Sequence, residues 1–256
     1  MGKLKPVSYI RSMSRGKSSP HLIEFSDHHN YVVKFKNNPQ GNWVLINEYI
    51  VNNLASLLEL PIPRYKVVRI SKQFIEENEN LHQKNFKSGK QFASRYTKHS
   101  LHVTDLKGRP VKDQINNLNQ VGGLLVFDHW VSNSDRNLKN LLLRPVGHQY
   151  YFEMIDHANC FNITPNNPER EFLPLQVRKG KLYRWFNSLI DHKKQLTSYV
   201  EKISEIKNED IHTIIHSLPG DWKVSDKEKE KLYSHIKYAK KALPGIIDDY
   251  WKANFE

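Results

Sequence analysis

The chain has 256 residues, with 39 Lys and Arg against 27 Asp and Glu, giving a formal charge of +12. Its composition, 38% hydrophobic, 26% charged and 11% aromatic, describes a folded protein of one large domain or two lobes and excludes a disordered tail. One cysteine, Cys160, excludes an internal disulfide framework and a Cys-cluster zinc site and fits a reducing, cytoplasmic setting, while the longest apolar stretch, Val121 to Phe127, falls far short of the ~18 residues of a membrane span.

Met1 to Pro6 is basic but no apolar core follows it, so no signal peptide is read there. Tyr9 to Met13 predicts a first strand, and the small, basic stretch Ser14-Arg15-Gly16-Lys17-Ser18-Ser19-Pro20 predicts a loop after it. His21 to Phe25 and Tyr31 to Lys36 predict a hairpin around the turn-forming Asp27-His28-His29-Asn30. In Val44 to Leu60, Ile46, Ile50, Leu54, Leu57 and Leu58 recur at helical spacing, and Pro61 ends the pattern. Tyr65 to Ile70 predicts a strand, Ile75 to Gly89 a polar, mobile loop with a helical start, and Gln91 to Tyr96 another strand. Leu118 to Val131 predicts a buried helix, and Leu141 to Arg144 with Tyr150 to Ile155 a second hairpin. From Lys181 the pattern is helical, including Ser225 to Leu243, which opens on the capping sequence Ser225-Asp226-Lys227-Glu228.

Three residues between and after these elements have the layout of a phosphoryl-transfer site. Asp135 and Asn140 are five positions apart, and Asp156 ends an apolar strand 16 positions later. Phosphoryl transfer needs oxygen ligands for Mg²⁺ and a carboxylate to orient the acceptor hydroxyl and take its proton. Lys34 lies mid-strand among apolar residues, and Glu48 follows 14 positions later on the next helix. A strand lysine on the nucleotide phosphates, held by a helix glutamate, is the other half of a kinase-type site. Singly, each residue has a plainer reading: an Asp that starts a turn, a lysine on a solvated strand face, a glutamate paired on the surface. The order of all five favours catalysis. The loop before Pro20 sits where a phosphate-covering loop belongs, with Gly16, the Lys17 charge and the Ser18 and Ser19 hydroxyls toward phosphate, although it lacks a Gly-x-Gly-x-x-Gly pattern.

Asn47-Glu48-Tyr49 through Leu57-Leu58-Glu59-Leu60-Pro61-Ile62-Pro63, with Asn133-Ser134-Asp135-Arg136-Asn137-Leu138-Lys139-Asn140 and Ile155-Asp156, resembles the HipA-like kinases, and its catalytic half is also similar to the phosphatidylinositol kinases. The resemblance implies an α+β, two-lobed protein-kinase-like fold, with a small antiparallel-sheet N-lobe carrying one helix over residues 1–96 and a mainly helical C-lobe over residues 97–256. It implies ATP and Mg²⁺, with Asp135 as catalytic base, Asn140 and Asp156 as metal ligands and Lys34 on the phosphates. Phe92-Ala93-Ser94-Arg95-Tyr96 would join the lobes, its backbone at Ser94 and Tyr96 bonding adenine. Two departures stand out: Asn137 occupies a position that is usually His in the family, and the chain begins almost at the first kinase strand, without the extra N-terminal subdomain of the toxin members.

The expected activity is transfer of the ATP γ-phosphoryl group to a hydroxyl, foremost Ser or Thr of a protein partner. A small-molecule or lipid-headgroup kinase is the alternative within the enzyme class, and a catalytically silent nucleotide- or nucleic-acid-binding module is the alternative outside it. The +12 charge alone favours nucleic acid less than it favours solvated helical faces such as Lys227 to Lys241. His28-His29, His99 with His102, and Asp128-His129 read as surface or packing residues rather than metal ligands, and the scattered Trp residues as core.

Overall fold

The computed structural model describes residues 4–161 and 176–256. Strands β1 (Pro6–Ser12), β2 (His21–Phe25), β3 (Asn30–Lys34), β4 (Tyr65–Ile70) and β5 (Gly89–Arg95) form an antiparallel sheet in the order β1-β2-β3-β5-β4. Successive residues of a strand face opposite sides. Ala93 thus joins Ile23, Phe25, Val33 and Ile70 in one apolar layer, while its neighbour Phe92 faces helix α1 (Trp43–Leu57) and the main core.

The polar stretch predicted as a loop is ordered differently. The end of a short helix, α2 (Lys72–Glu76), forms the helical start expected of it, a second, α3 (Glu79–His82), follows, and Ile75, Leu81 and Phe86, with Phe74 just before the stretch, are buried on the outer layer of the sheet. Four apolar side chains spread among glutamates and asparagines give no periodicity, yet they suffice to fasten the segment down.

Beyond Arg95 the chain forms a second, three-stranded sheet from β6 (Leu101–His102), β7 (Leu141–Val146) and β8 (Gln149–Met154), and the helices α4 (Val121–Trp130), α5 (Lys181–Asn187), α6 (Lys194–Glu205), α7 (Asn208–His216) and α8 (Asp226–Phe255). All of α4 is buried, polar residues included. Its two glycines allow α6 to approach at backbone distance: a Cβ on Gly122 would lie 2.2 Å from the Gln195 carbonyl oxygen, and one on Gly123 2.4 Å from the Tyr199 ring. Ser225 caps α8, its hydroxyl accepting from Glu228 N while Ser225 N–H donates to the Glu228 carboxylate. The helix then runs through Pro244, where the sequence pattern predicted its end. Proline removes one backbone hydrogen bond there, and burial of Leu243, Ile247 and Tyr250 on the same core carries the helix across the break.

That core is continuous. It joins α1, nominally part of the N-terminal sheet lobe, to α4, the second sheet and the C-terminal helices.

Candidate active site

Lys34 is the last residue of β3 and Glu48 lies one turn into α1, and the sheet and helix bring them into contact: Lys34 Nζ is 2.5 Å from Glu48 Oε1. The same ammonium is 2.8 Å from Asp156 Oδ1, although 122 positions separate the two residues. Burial by itself lowers a lysine's pKa, but here the carboxylates of Asp156 and Glu48 outweigh it and hold the Lys34 ammonium above its ordinary value. Burial likewise pushes Glu48 up, and the adjacent Lys34 charge overrides it and keeps the carboxyl ionised. Glu48 also accepts from the backbone N–H of His157, 3.0 Å away, and from the Asn52 amide. Burial lowers the pKa of His157, whose ring stands beside Glu48 at 3.4 Å.

Asp156 adopts a left-handed backbone, with φ of 60°. Asp tolerates that region better than most residues, and the turn it makes aims the carboxylate at Lys34 while the following residues run along α1. Asn47 secures that run by donating to the carbonyls of Ala158 and Cys160.

The segment from Asn133 to Asn140 is built on a buried ion pair that the sequence analysis did not assign. Arg136 Nε lies 3.0 and 3.1 Å from the two carboxylate oxygens of Asp128 on α4, both side chains fully shielded from solvent. Asn133 and the Tyr183 hydroxyl complete the Asp128 shell. Arg136 donates through Nη1 to the carbonyls of Asn140 at 3.1 Å and Ile155 at 2.7 Å, and its Nη2 faces the Met154 sulfur at 3.9 Å. One guanidinium thus ties the loop holding Asp135 and Asn140 to the strand end holding Asp156. A visible signal existed for it: Asp128 is the one acidic residue in the apolar run of α4. Its neighbour His129 has a packing role, with its ring bonded to the Leu125 carbonyl and the Arg178 N–H.

Asp135 itself is exposed at the surface of this loop. Its carbonyl accepts from Asn140 Nδ2 and Asn137 Nδ2, each at 2.8 Å. With the amide nitrogen of buried Asn140 pinned to the Asp135 carbonyl, its side-chain oxygen is the atom a hard cation would use. Asn137, where the resemblance leads one to expect His, also accepts from Lys139 N and so caps the short turn Leu138–Asn140. Asn159 reaches back to the Asp135 carboxylate at 3.4 Å.

The loop before β2 is a tight turn: Met13 N donates to the Pro20 carbonyl, Gly16 has φ of 111° and Ser19 φ of 48°. Lys17 is exposed, Ser18 is buried and Ser19 is half-buried. Arg15 crosses to Asp105 of the C-terminal half at 3.0 Å. The expected lobe connection is placed less simply. Ser94 is inside β5 with β3 on one side and β4 on the other, and the Tyr96 N–H donates to the Asn30 carbonyl at 2.8 Å, so that donor is already committed.

The HipA-like kinase family profile matches residues 7–254. Among solved structures, the Helicobacter pylori proinflammatory kinase CtkA is similar to this chain, with a TM-score of 0.60 and 15% identity over 97% of each chain. A Golgi casein kinase with Mn/ADP bound is similar with a TM-score of 0.54 and 12% identity, over 98% of this chain and 74% of that one. No curated protein matches the sequence. The two structural likenesses establish a shared two-lobed, kinase-like α+β fold.

Proposed function

The chain belongs to the HipA-like kinase family, and we propose that it uses ATP with a divalent cation, Mg²⁺ foremost, to phosphorylate a hydroxyl, Ser or Thr of a protein being the favoured acceptor. The observation that carries this reading is the bridge at Lys34, whose ammonium touches Glu48 and Asp156 together. A nucleotide arriving at this site meets a buried positive charge already fixed in direction by Glu48, and a carboxylate beside it. The donor set fits a hard cation: the Asn140 amide oxygen and the Asp156 carboxylate are hard oxygen ligands on adjoining segments. The cation would neutralise charge on the phosphates there. The similar Golgi casein kinase, described with Mn and ADP bound, supports the same usage.

In this reading Asp135 accepts a hydrogen bond from the acceptor hydroxyl and takes its proton as the bond to phosphorus forms. Its exposure leaves it open to a macromolecular partner. Lys34 grips the donor phosphates, and the Gly16 to Ser19 turn covers them with Lys17 and backbone N–H groups. Catalysis then comes from position and charge.

The test is incubation with γ-labelled ATP and a cell lysate, separating protein-bound from small-molecule label. Label on protein serine or threonine supports the favoured acceptor, and label confined to small molecules or lipids moves the assignment to those kinases. No transfer, together with no Mg²⁺-dependent ATP binding, refutes the kinase reading altogether.

A further inference from the structure

A second constellation, later in the chain than Lys34 and Asp156, carries metal-ligating chemistry that phosphoryl transfer does not use. His212 and His216 lie one turn apart on α7, and their rings stack with centroids 4.0 Å apart and planes 20° apart. Ile211 and Ile215 of the same helix are buried in the core, so the two imidazoles occupy the outward side. From α8, Glu230 brings its carboxylate Oε1 to 3.4 Å from His216 Nε2. Tyr233, on α8 a turn further along, stands edge-on to His212 with centroids 5.5 Å apart and limits how that ring turns. One donor atom from each of His212, His216 and Glu230 lies within 4.8 Å of the others.

We propose that His212, His216 and Glu230 form a binding site for a divalent transition metal of the zinc class, joining α7 to α8. Two imidazole nitrogens and one carboxylate oxygen are the donor set of a three-ligand zinc site whose fourth position is left for water. With zinc-to-ligand distances of about 2.0–2.2 Å, the edge of a tetrahedron is about 3.3–3.6 Å. The spacing of His216 to Glu230 already equals such an edge, and the two edges to His212, with its donor atom within 4.8 Å of the others, are what binding must shorten. Borderline imidazole donors set this site apart from the all-oxygen pair Asn140 and Asp156, which suits Mg²⁺. The alternative use of the same residues is an ion pair between His216 and Glu230 with His212 as a bystander, and the two differ in what they do with a metal.

Zn²⁺ titrated into the full chain in excess Mg²⁺, followed by calorimetry, is expected to bind at one equivalent, and Co²⁺ in its place is expected to give the visible absorption of a four-coordinate ion. His212→Ala combined with His216→Ala is expected to weaken Zn²⁺ binding by well over the roughly tenfold loss that even an outer-shell change causes, and Glu230→Gln to weaken it less. All three residues are exposed, so metal-free thermal unfolding should be unchanged in each variant. If the double variant does lose its metal-free profile, His212→Asn decides on the same criterion. A wild-type chain that takes up no Zn²⁺, or a histidine variant that binds it with wild-type affinity and stoichiometry, overturns the site.

Discussion

Asp128→Asn is the most informative single perturbation of the site's scaffold. The change keeps the shape of the side chain and removes its charge, leaving the Arg136 guanidinium buried with no counter-ion. Burial by itself would lower the Arg136 pKa, and it is Asp128 that raises it, so the variant forces a bare cation into the core. Breaking a buried pair from one side costs about 3–5 kcal/mol. For a chain of this size, at about 2–4 °C per kcal/mol, the melting temperature should fall by roughly 6–20 °C. Urea denaturation measures the free energy and calorimetry the midpoint. The apolar double variant Asp128→Leu with Arg136→Met separates stability from alignment. Replacing a buried pair by packed apolar residues is often neutral, so the charge penalty should be removed, leaving about 1–3 kcal/mol for each shielded carbonyl that has lost its donor. Phosphoryl transfer should not return, because the carbonyls of Asn140 and Ile155 still lack the donor that ties them together. A single variant within about 1 kcal/mol of wild type, or a double variant with full turnover, would refute the reasoning.

Asp135→Asn and Asp156→Ala should each lower turnover by ~100-fold or more with the fold intact, measured as transfer from labelled ATP alongside circular dichroism; near-wild-type transfer in both variants sinks the mechanism. Trp222→Phe deletes the indole donor to the Lys90 carbonyl, 2.9 Å away, and should cost about 1–3 kcal/mol in urea melts while raising KM for ATP more than it lowers kcat, because the contact joins the two halves of the chain. Burial lowers the pKa of His21, His129 and His235 from 6.5 to about 4. Between those values the unfolded chain binds protons that the native chain does not, so stability is complete above about pH 6.5 and falls as the pH drops toward 4, by about 2 kcal/mol at pH 5 for His129 alone; denaturation curves that coincide at pH 7 and pH 5 would contradict this. Ser225→Ala should cost about 1 kcal/mol by loss of the α8 cap, and no change in the thermal midpoint would show the cap to be idle.

Much of this architecture is legible from local pattern. β3 and α1 announce themselves by alternation and by helical spacing, and a lysine among β-branched residues or an acid at the end of an apolar strand is conspicuous because such neighbours exclude water. What sequence cannot weigh is burial created by distant segments. The pairing of Asp128 with Arg136 depends on α4 lying under the loop, and each residue alone resembles a helix-end acid or a surface arginine. The stretch from Ile75 to Gly89 looks loose because its buried apolar side chains Ile75, Leu81 and Phe86 follow no period, and α8 looks finished at Pro244 because the burial that carries it onward comes from other helices. Tyr96 reads as a free backbone donor until the Asn30 carbonyl is found opposite it.

Helix α1 explains why the Lys34 to Glu48 contact belongs to the resting structure. Asn42 at its start donates to the Trp222 carbonyl at 2.6 Å, Tyr49 meets the Ser217 hydroxyl at 2.9 Å, and Asn47 holds two carbonyls of the segment after Asp156. Swinging α1 away from β3 would strand the buried Asn47 amide and the carbonyls it satisfies, at about 1–3 kcal/mol for each group left without a partner, and would also expose the apolar layer shared with the C-terminal helices. The buried ion pair at Lys34 adds its own penalty for separation. Movement of this helix is therefore a costly way to switch the site. The turn from Ser14 to Pro20, between β1 and β2, reaches the C-terminal half through a different kind of contact, the exposed pair of Arg15 with Asp105. An exposed pair of that kind contributes no more than about 1 kcal/mol, so it is a far weaker restraint on its segment than the buried contacts that hold Lys34, Glu48 and Asp156 in place.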